Sequence, residues 1–373
     1  YTSSINQLRL QQALNHYHAN RQAVTPVQRV NRTYKDSSLN FLKNYNTKMT
    51  DLMQSANTLR GSNSSGVANT KKLGSSDNSV LTAKERFGTN AGQKLSVNVT
   101  QLAKAQTNQS TGVNAKTKAS SGLNFSIRSK SASGGVSNVF VQVDARKKNG
   151  GLRTNQEMLE EAASQINRAK SGVQASVEVK DGQASLRITG SQTGEGNTFQ
   201  VNGDMGIAKG LNETAQEAQN AKYTVTENGT SRNYVSSTNE ISLDMGRIQA
   251  TLKKEGKADI EPQADNERMI SGVEDLVSNY NKTVEFLKSN TDKGSEINRQ
   301  LRNMTRSLGS EQSLEMAGIT ANKDGTLSFD RETLTKNLEK DPELVRDVIS
   351  GRNGIAQAAF DRGSAGLRAN SAG

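Results

Sequence analysis

The sequence predicts an α+β protein in which a helical leg, built from long heptad-patterned helices at both chain ends, carries a mixed and largely antiparallel β head. One or two inserted helices are expected within that head. Two observations lead to this fold class. Apolar residues recur every three or four positions near each end of the chain, and at every second position in the middle of the chain. The end stripes are Leu42, Tyr45, Met49, Leu52, Ala56 and Leu59, and Ile270, Val273, Val277, Tyr280, Val284 and Leu287.

A heptad stripe keeps one side of a helix against a partner helix, so the two stripes predict that the chain ends pack together. Pro26 after Thr25 is a helix start signal, and Gly61 is a stop signal. The expected order begins with a polar N-terminal segment at 1–25, the first part of the helical leg at 26–74 and an α/β head of one or two subdomains at 75–260. Further leg helices are expected at 261–350 and a Gly/Ala-rich tail at 351–373.

The head is predicted from period-2 segments around residues 95–99, 123–127, 139–143, 173–188 and 248–252, the last strand before Pro262. The pairs Asp181-Gly182 and Asn228-Gly229 interrupt alternating segments, which is a strong local signal for a β-hairpin. An amphipathic helix is expected at 155–170. Beyond the second stripe, a helix at 297–308, a turn at 322–325, a short strand at 326–329 and a helix at 331–350 restarted at Asp341-Pro342 are expected.

The composition indicates a surface-rich protein that completes its burial against other copies. Only 32% of the 373 residues are hydrophobic and 4% aromatic, and there is no Trp. The formal charge is +11, but the basic residues are scattered, and no motif for nucleic-acid binding is visible. No apolar run of membrane-spanning length occurs, so no membrane insertion is expected. The absence of Cys excludes disulfides and thiolate metal sites.

No residue set supports catalysis, a cofactor or a metal. The two histidines, His16 and His18, lie two positions apart in a polar segment without an acidic residue nearby. The turn Asn322–Gly325 has some features of a calcium loop, but Thr320 and Arg331 stand where oxygen ligands are needed. We therefore expect neither an enzyme nor a metal site.

Four stretches resemble the flagellar filament cap family, also called flagellar hook-associated protein 2. Their order and spacing carry the resemblance, which covers roughly residues 30–355. They are 34–80, with Phe41-Leu42 and Ser75-Ser76-Asp77; 90–106, ending in Leu102-Ala103-Lys104-Ala105-Gln106; 156–197, with Ile166-Asn167 and Gly172-Val173; and the C-terminal set around Asn220-Ala221, Asn279-Tyr280-Asn281, Gly318-Ile319 and Asp341-Pro342.

The resemblance implies a protein exported to the extracellular flagellum without a cleaved signal peptide. It implies a ring-like homo-oligomer at the filament tip that guides flagellin into place. Its implied partners are other copies of itself, flagellin and other flagellar axial proteins, and an export chaperone, with no nucleic acid. The family also closes with a long helix that pairs with the first one, and the Gly/Ala-rich segment 351–373 is not expected to form it.

Two other functions remain open: a filament-forming or sheath subunit of an extracellular appendage, and an adhesin-like head protein. The candidate site is the set that we call the seam residues, expected to be either the internal core of the leg or a contact between subunits. They are Leu42, Tyr45, Met49, Leu52, Ile270, Val273, Val277, Tyr280, Val284 and Leu287.

Overall fold

The computed structural model describes residues 28–86 and 94–371, with side chains from 36 to 86 and from 94 to 369. The predicted polar segment 1–25, the start signal at Pro26 and both histidines lie outside these residues. The chain divides into two compact units. We call Tyr1–Lys72 with Gln263–Gly373 the helical unit, and Leu73–Pro262 the inserted unit.

Helices dominate the helical unit, and a single helix lies among the described residues of the inserted unit. In chain order they are α1 (Gln28–Leu59), α2 (Asn155–Ala169), α3 (Asn266–Lys288), α4 (Ser295–Met304), α5 (Glu311–Met316), α6 (Arg331–Lys340), α7 (Pro342–Ser350) and α8 (Ile355–Ser371).

Helix α1 carries the first apolar stripe and packs against both α3 and α8. Its last turn is followed by Gly61, whose N–H donates to the Ser350 carbonyl at 2.8 Å. A Cβ at Gly61 would lie 2.7 Å from that oxygen, so a residue without a side chain is needed here. Asp265 precedes helix α3 and caps its first turn, because its side chain accepts a hydrogen bond from the Arg268 N–H at 3.2 Å.

The C-terminal helix α8 corrects the prediction of an unpatterned Gly/Ala-rich tail at 351–373. Its buried face alternates small residues with a few large ones, so a count of apolar residues gives little periodicity. Those small residues let the helix approach α1 closely. A Cβ at Gly363 would lie 2.6 Å from Met53 Cγ, and one at Gly366 would lie 2.5 Å from Met49 Sδ. A helix paired with the first one is therefore present, although the sequence did not predict it.

The other C-terminal elements follow the predicted order, but the helix predicted at 297–308 ends at Met304, and the strand Ile319–Ala321 and helix α5 are additions. The turn Asn322–Gly325 joins two short strands, the Gly325 N–H donating to the Asn322 carbonyl at 3.1 Å. Asp341 ends α6 and accepts from the Leu344 N–H at 3.4 Å, capping α7. Helix α5 was not predicted, because six residues are too few to show a helical period.

Strands form most of the inserted unit, and every described pairing is antiparallel. They are β1 (Lys71–Ser75), β2 (Leu81–Glu85), β3 (Leu95–Gln101), β4 (Thr107–Gln109), β5 (Val113–Asn114), β6 (Leu123–Lys130), β7 (Val136–Val143), β8 (Val173–Lys180), β9 (Gln183–Gly190), β10 (Thr198–Asp204), β11 (Thr214–Gln216), β12 (Ala221–Glu227), β13 (Thr230–Ser236), β14 (Glu240–Leu243), β15 (Ile248–Leu252) and β16 (Gly256–Ala264), followed in the helical unit by β17 (Ile319–Ala321) and β18 (Leu327–Phe329).

These strands surround two hydrophobic cores. One core lies on the sheets β1-β16-β3-β12-β13 and β14-β15-β2. The other lies between helix α2 and the sheets β10-β6-β7 and β11-β4-β9-β5, with β8 also paired to β9. The fold is therefore the mixed α+β, largely antiparallel arrangement that the sequence predicts.

Strand β16 corrects the expectation that 248–252 is the last strand before Pro262. Five charged residues between 253 and 259 hide the period-2 pattern, although Ala258 and Ile260 are buried at alternate positions. Both predicted hairpins are confirmed. All four turn residues have a positive φ, as two-residue hairpin turns require. The φ values are 52° for Asp181 and 75° for Gly182, and 50° for Asn228 and 78° for Gly229.

Candidate functional site

The structure brings nine of the ten seam residues into the hydrophobic core of the helical unit, each with at most 6% of its surface exposed. They come from α1 and α3, and α8 completes the same core with Ala356, Ala359, Phe360 and Leu367. Leu42 differs, because it stays partly exposed. Their assignment as a contact between subunits stays a prediction.

Two tyrosine hydroxyls inside this core are satisfied by helix carbonyls that are distant in sequence. The Tyr45 hydroxyl donates to the Gly366 carbonyl, and the Tyr280 hydroxyl donates to the Met304 carbonyl, each at 2.8 Å. Burial raises the pKa of Tyr280 to about 12 and raises the pKa of Tyr45 as well. Each ring thus fills the core while its hydroxyl joins α1 to α8, or α3 to α4, because a buried donor needs a partner.

The motif Asn279-Tyr280-Asn281 joins α3 to three neighbours. Asn279 Nδ2 donates to Ser55 Oγ on α1. Asn281 makes a two-way contact with β18, donating through Nδ2 to the Leu327 carbonyl at 2.8 Å and accepting from the Leu327 N–H at 2.7 Å. Sequence reasoning identified the motif but not these roles, because Ser55 and Leu327 are far away along the chain.

Arg362 on α8 is a structural residue that sequence reasoning missed. Its guanidinium donates to four backbone carbonyls at the end of α4, those of Asn303, Met304, Arg306 and Ser307, at 2.8, 3.3, 2.8 and 3.0 Å. The last carbonyls of a helix lack partners within the helix and carry partial negative charge, so a cation is favourable there. Burial and the nearby Arg306 lower the pKa of Arg362.

Several carboxylates with a lowered pKa are caps or turn residues, whereas the pKa of Asp259 in strand β16 is lowered by hydrogen bonds from Ser96 and Lys94. Hydrogen bonds from Thr333 lower the pKa of Asp330, which caps α6, and hydrogen bonds from Thr326 lower the pKa of Asp324 in the turn before β18. In the inserted unit, a hydrogen bond from Lys147 lowers the pKa of Glu157 to about 2. These shifts come from local structure and do not indicate an acid–base pair.

Residues 28–86 and 94–371 contain no group of three or more His, Cys, Asp and Glu side chains able to hold a metal ion. In the same residues, no helix is long and apolar enough to cross a membrane. The helices from both chain ends that share one core, and the largely antiparallel unit inserted between them, define the structural class of this protein.

Family profiles identify this class more closely. The profile described as the flagellar hook-associated protein 2 N-terminus matches residues 10–106, and that of the C-terminus matches residues 218–365. The two matches together cover about two thirds of the chain, in the expected order. The chain belongs to the flagellar hook-associated protein 2 family, and its role is that of a structural and assembly protein of the flagellar filament cap.

Solved structures of flagellar cap proteins are similar to this chain. The FliD D1-D2-D3 domains from Escherichia coli are 23% identical, over 86% of this chain and 96% of that one, with a TM-score of 0.40. The FliD D2-D3 domains from Serratia marcescens are 26% identical, over 47% and 94%, with a TM-score of 0.36. FliD (HAP2) from Pseudomonas aeruginosa PAO1 is 17% identical, over 57% and 96%, with a TM-score of 0.36. A search of curated protein sequences finds no match.

Proposed function

We propose that this protein forms a ring-like homo-oligomer at the tip of the extracellular flagellar filament and guides flagellin subunits into place. In this proposal the helical unit is the leg and the inserted unit is the head. The chain reaches the filament by export without a cleaved signal peptide, with the help of an export chaperone.

One observation carries the proposal: helices from both ends of the chain share one core, and a separately folded unit interrupts them. Hydrogen bonds to distant backbone carbonyls hold α1, α3, α4 and α8 in fixed positions. A rigid helical support suits a protein that must hold its place while subunits are added beside it.

Because most seam residues are buried, few of them are available for contact with a second copy of the chain. A side chain with at most 6% exposure cannot contact another subunit without opening its own core. Leu42 is partly exposed, and near it the exposed Lys43 and Asn44 face solvent. We therefore propose Leu42 as the seam residue that a neighbouring copy contacts, and the other nine as internal support.

The mass of the purified chain in solution, measured by light scattering, tests the proposal together with electron microscopy and cross-linking to flagellin. We expect closed particles of defined copy number and a cross-linked product with flagellin. A monomer at every concentration, without such a product, would show that the proposal is wrong. Open-ended fibres would favour the alternative of a filament or sheath subunit.

A further inference from the structure

Strand β13 forms one edge of the sheet β1-β16-β3-β12-β13. It pairs with β12 across a two-residue turn, without a register shift along its length. In such a hairpin the pairs that exchange hydrogen bonds alternate along the strand, beginning with the pair that flanks the turn, Glu227 and Thr230. Three residues of β13 therefore point their N–H and C=O groups away from β12: Ser231, Asn233 and Val235.

Other strand edges of the inserted unit are closed by amide side chains from α2. On β7, the Gln165 side chain accepts from the Gln142 N–H at 3.1 Å and donates to the Gln142 carbonyl at 2.8 Å. On β8, the Asn167 side chain accepts from the Ala175 N–H at 2.8 Å and donates to the Ala175 carbonyl at 2.9 Å. Within residues 28–86 and 94–371, no such contact reaches the outward backbone groups of β13. That edge is therefore open to a further strand.

The sequence of β13 also lacks the usual protection of an exposed edge. Edge strands commonly carry several charges, a proline or a bulge, whereas β13 has one charged side chain, Arg232, and neither a proline nor a bulge. Tyr234 and Val235 are 42% and 62% exposed. The Tyr234 ring stacks on the Tyr223 ring of β12 with centroids 5.5 Å apart, so its second face is turned toward the free edge.

We propose that β13 pairs antiparallel with β13 of a second copy of this chain, about a twofold axis at Asn233. In this register every outward N–H and C=O group has a partner, because Asn233 lies opposite its own copy and Ser231 lies opposite Val235. Arg232 then lies opposite Tyr234 of the second copy, where its guanidinium packs on the free face of the ring. An axis centred on Arg232 would instead place two like charges opposite each other, which is unfavourable.

This contact differs in symmetry from the contacts that close a ring. A ring is built from heterologous contacts, in which two different surfaces of the chain meet, whereas a twofold contact joins the same surface of two copies. A residue on the twofold axis lies beside its own copy in the proposed contact and not in a ring contact. The proposal therefore goes beyond the role in the filament cap, and its failure would leave the proposed ring unaffected.

Single cysteines test the pairing directly, because the chain contains no Cys of its own. In the proposed register the two Cα atoms of residue 233 are about 5.5 Å apart, which is within the range of a disulfide. We expect the full chain carrying Asn233→Cys to form a covalent dimer in a glutathione redox buffer, measured by non-reducing electrophoresis and mass spectrometry.

Ser231→Cys is the matched control, because Ser231 is exposed on the same side of the same strand. Its own copy lies four residues further along the paired strand, about 13 Å away, which is too far for a disulfide. No covalent dimer with Asn233→Cys, or equal yields of dimer from the two variants, would overturn the proposal.

A second measurement uses the chain without cysteine. Val235→Pro removes an N–H that points away from β12, so the hairpin is retained, but each copy loses a hydrogen bond to the other. We expect the Kd of the dimer, measured by sedimentation velocity, to rise by about tenfold or more. Val235→Ala keeps the N–H and should preserve the Kd, and circular dichroism melting checks that both variants are folded.

An unchanged Kd with Val235→Pro would overturn the proposal. A different occupant of the edge would also be detected. If Asn233→Cys stays monomeric while Val235→Pro weakens the capture of purified flagellin, the proposal is wrong, and the edge of β13 pairs with an extended segment of another protein.

Discussion

At the scale of single residues, the most informative side chains are those whose partners lie far away in sequence. Arg362 contacts carbonyls 55 to 59 residues earlier, and Tyr45 contacts a carbonyl 321 residues later. The sequence could identify Tyr45 as a core residue from its place in the heptad stripe. It could not identify Arg362, since a basic residue in a Gly/Ala-rich segment has no pattern that points to a helix end elsewhere.

Replacement of Arg362 tests its role at the end of α4. Arg362→Met keeps the aliphatic stem but leaves four carbonyls without their charged donor. We expect the free energy of unfolding to fall by about 1–3 kcal/mol, measured by urea denaturation. Arg368→Met, an exposed position on the same helix, is the control and should change little. Equal stability of the two variants would contradict the assigned role.

Acid stability should depend on Glu157, which caps α2 and pairs with Lys147 at 2.6 Å. The hydrogen bond from Lys147 lowers its pKa from 4.5 to about 2. A carboxyl whose pKa is depressed by folding stabilises the protein above about pH 4.5 and loses that effect as the pH falls through about 2.

Glu157→Gln should therefore reduce the loss of stability between about pH 4.5 and pH 2, measured by thermal melting at stepped pH. The control is Glu160→Gln, an exposed carboxyl on the same helix that accepts a hydrogen bond from Gln156, whereas Lys147 pairs with Glu157. If the pH profiles of Glu157→Gln and the wild type coincide, the Lys147 contact has no such effect.

At the scale of elements, the sequence predicts what local pattern determines. Strands with period 2, both Gly-containing hairpin turns and the helix at Asn155–Ala169 follow from neighbouring residues alone. The missed elements include α5, which is too short to show a period, β16, which charged residues interrupt, and α8, which uses small residues whose contribution is close approach and not apolar area. Strands of two or three residues, such as β4, β5 and β11, were also missed, because they are too short to show alternation. Helix α8 can be recognised only beside the α1 side chains that occupy its grooves.

The close approach of α8 to α1 can be tested at Gly363. Gly363→Val places a branched side chain where a Cβ would already lie 2.6 Å from Met53 Cγ and 3.1 Å from the Met49 carbonyl oxygen. Overpacking of this kind costs about 1–3 kcal/mol, which chemical denaturation would measure. The control Ser364→Val adds the same group on a less buried position of α8. If Gly363→Val lowers the free energy of unfolding no more than Ser364→Val does, the close approach of α8 to α1 at Gly363 does not limit the size of this residue.

At the scale of the whole molecule, the two heptad stripes predicted that the chain ends share a core, and residues of both stripes do lie in one core. The contribution of α8 to that core could not be predicted, for the reason given above. The sequence left open whether the head forms one or two subdomains, because alternation identifies strands but not their partners, and the inserted unit contains two separate cores.

Separate cores predict separate unfolding transitions. Val277→Asp would place a charge in the core of the helical unit, where Val277 is 6% exposed. An unpaired buried charge costs several kcal/mol, so calorimetry should show a lower Tm for the transition of the helical unit and no change in the transitions of the inserted unit. Leu186→Asp, in a core of the inserted unit, is the reciprocal control. A uniform shift of all transitions would refute the prediction that the units unfold separately. Unchanged stability and assembly would refute the placement of Val277 in the core.

The contact between Tyr45 and Gly366 has a consequence for the order in which the chain can fold. As a chain emerges N-terminus first, from a ribosome or a secretion channel, Leu73–Pro262 is complete while α1 still lacks its partners. Contacts so distant in sequence form slowly, since the loop between them must first be closed. The helical unit is therefore the last part to become native, and the chain stays incompletely folded until almost all of its residues have appeared.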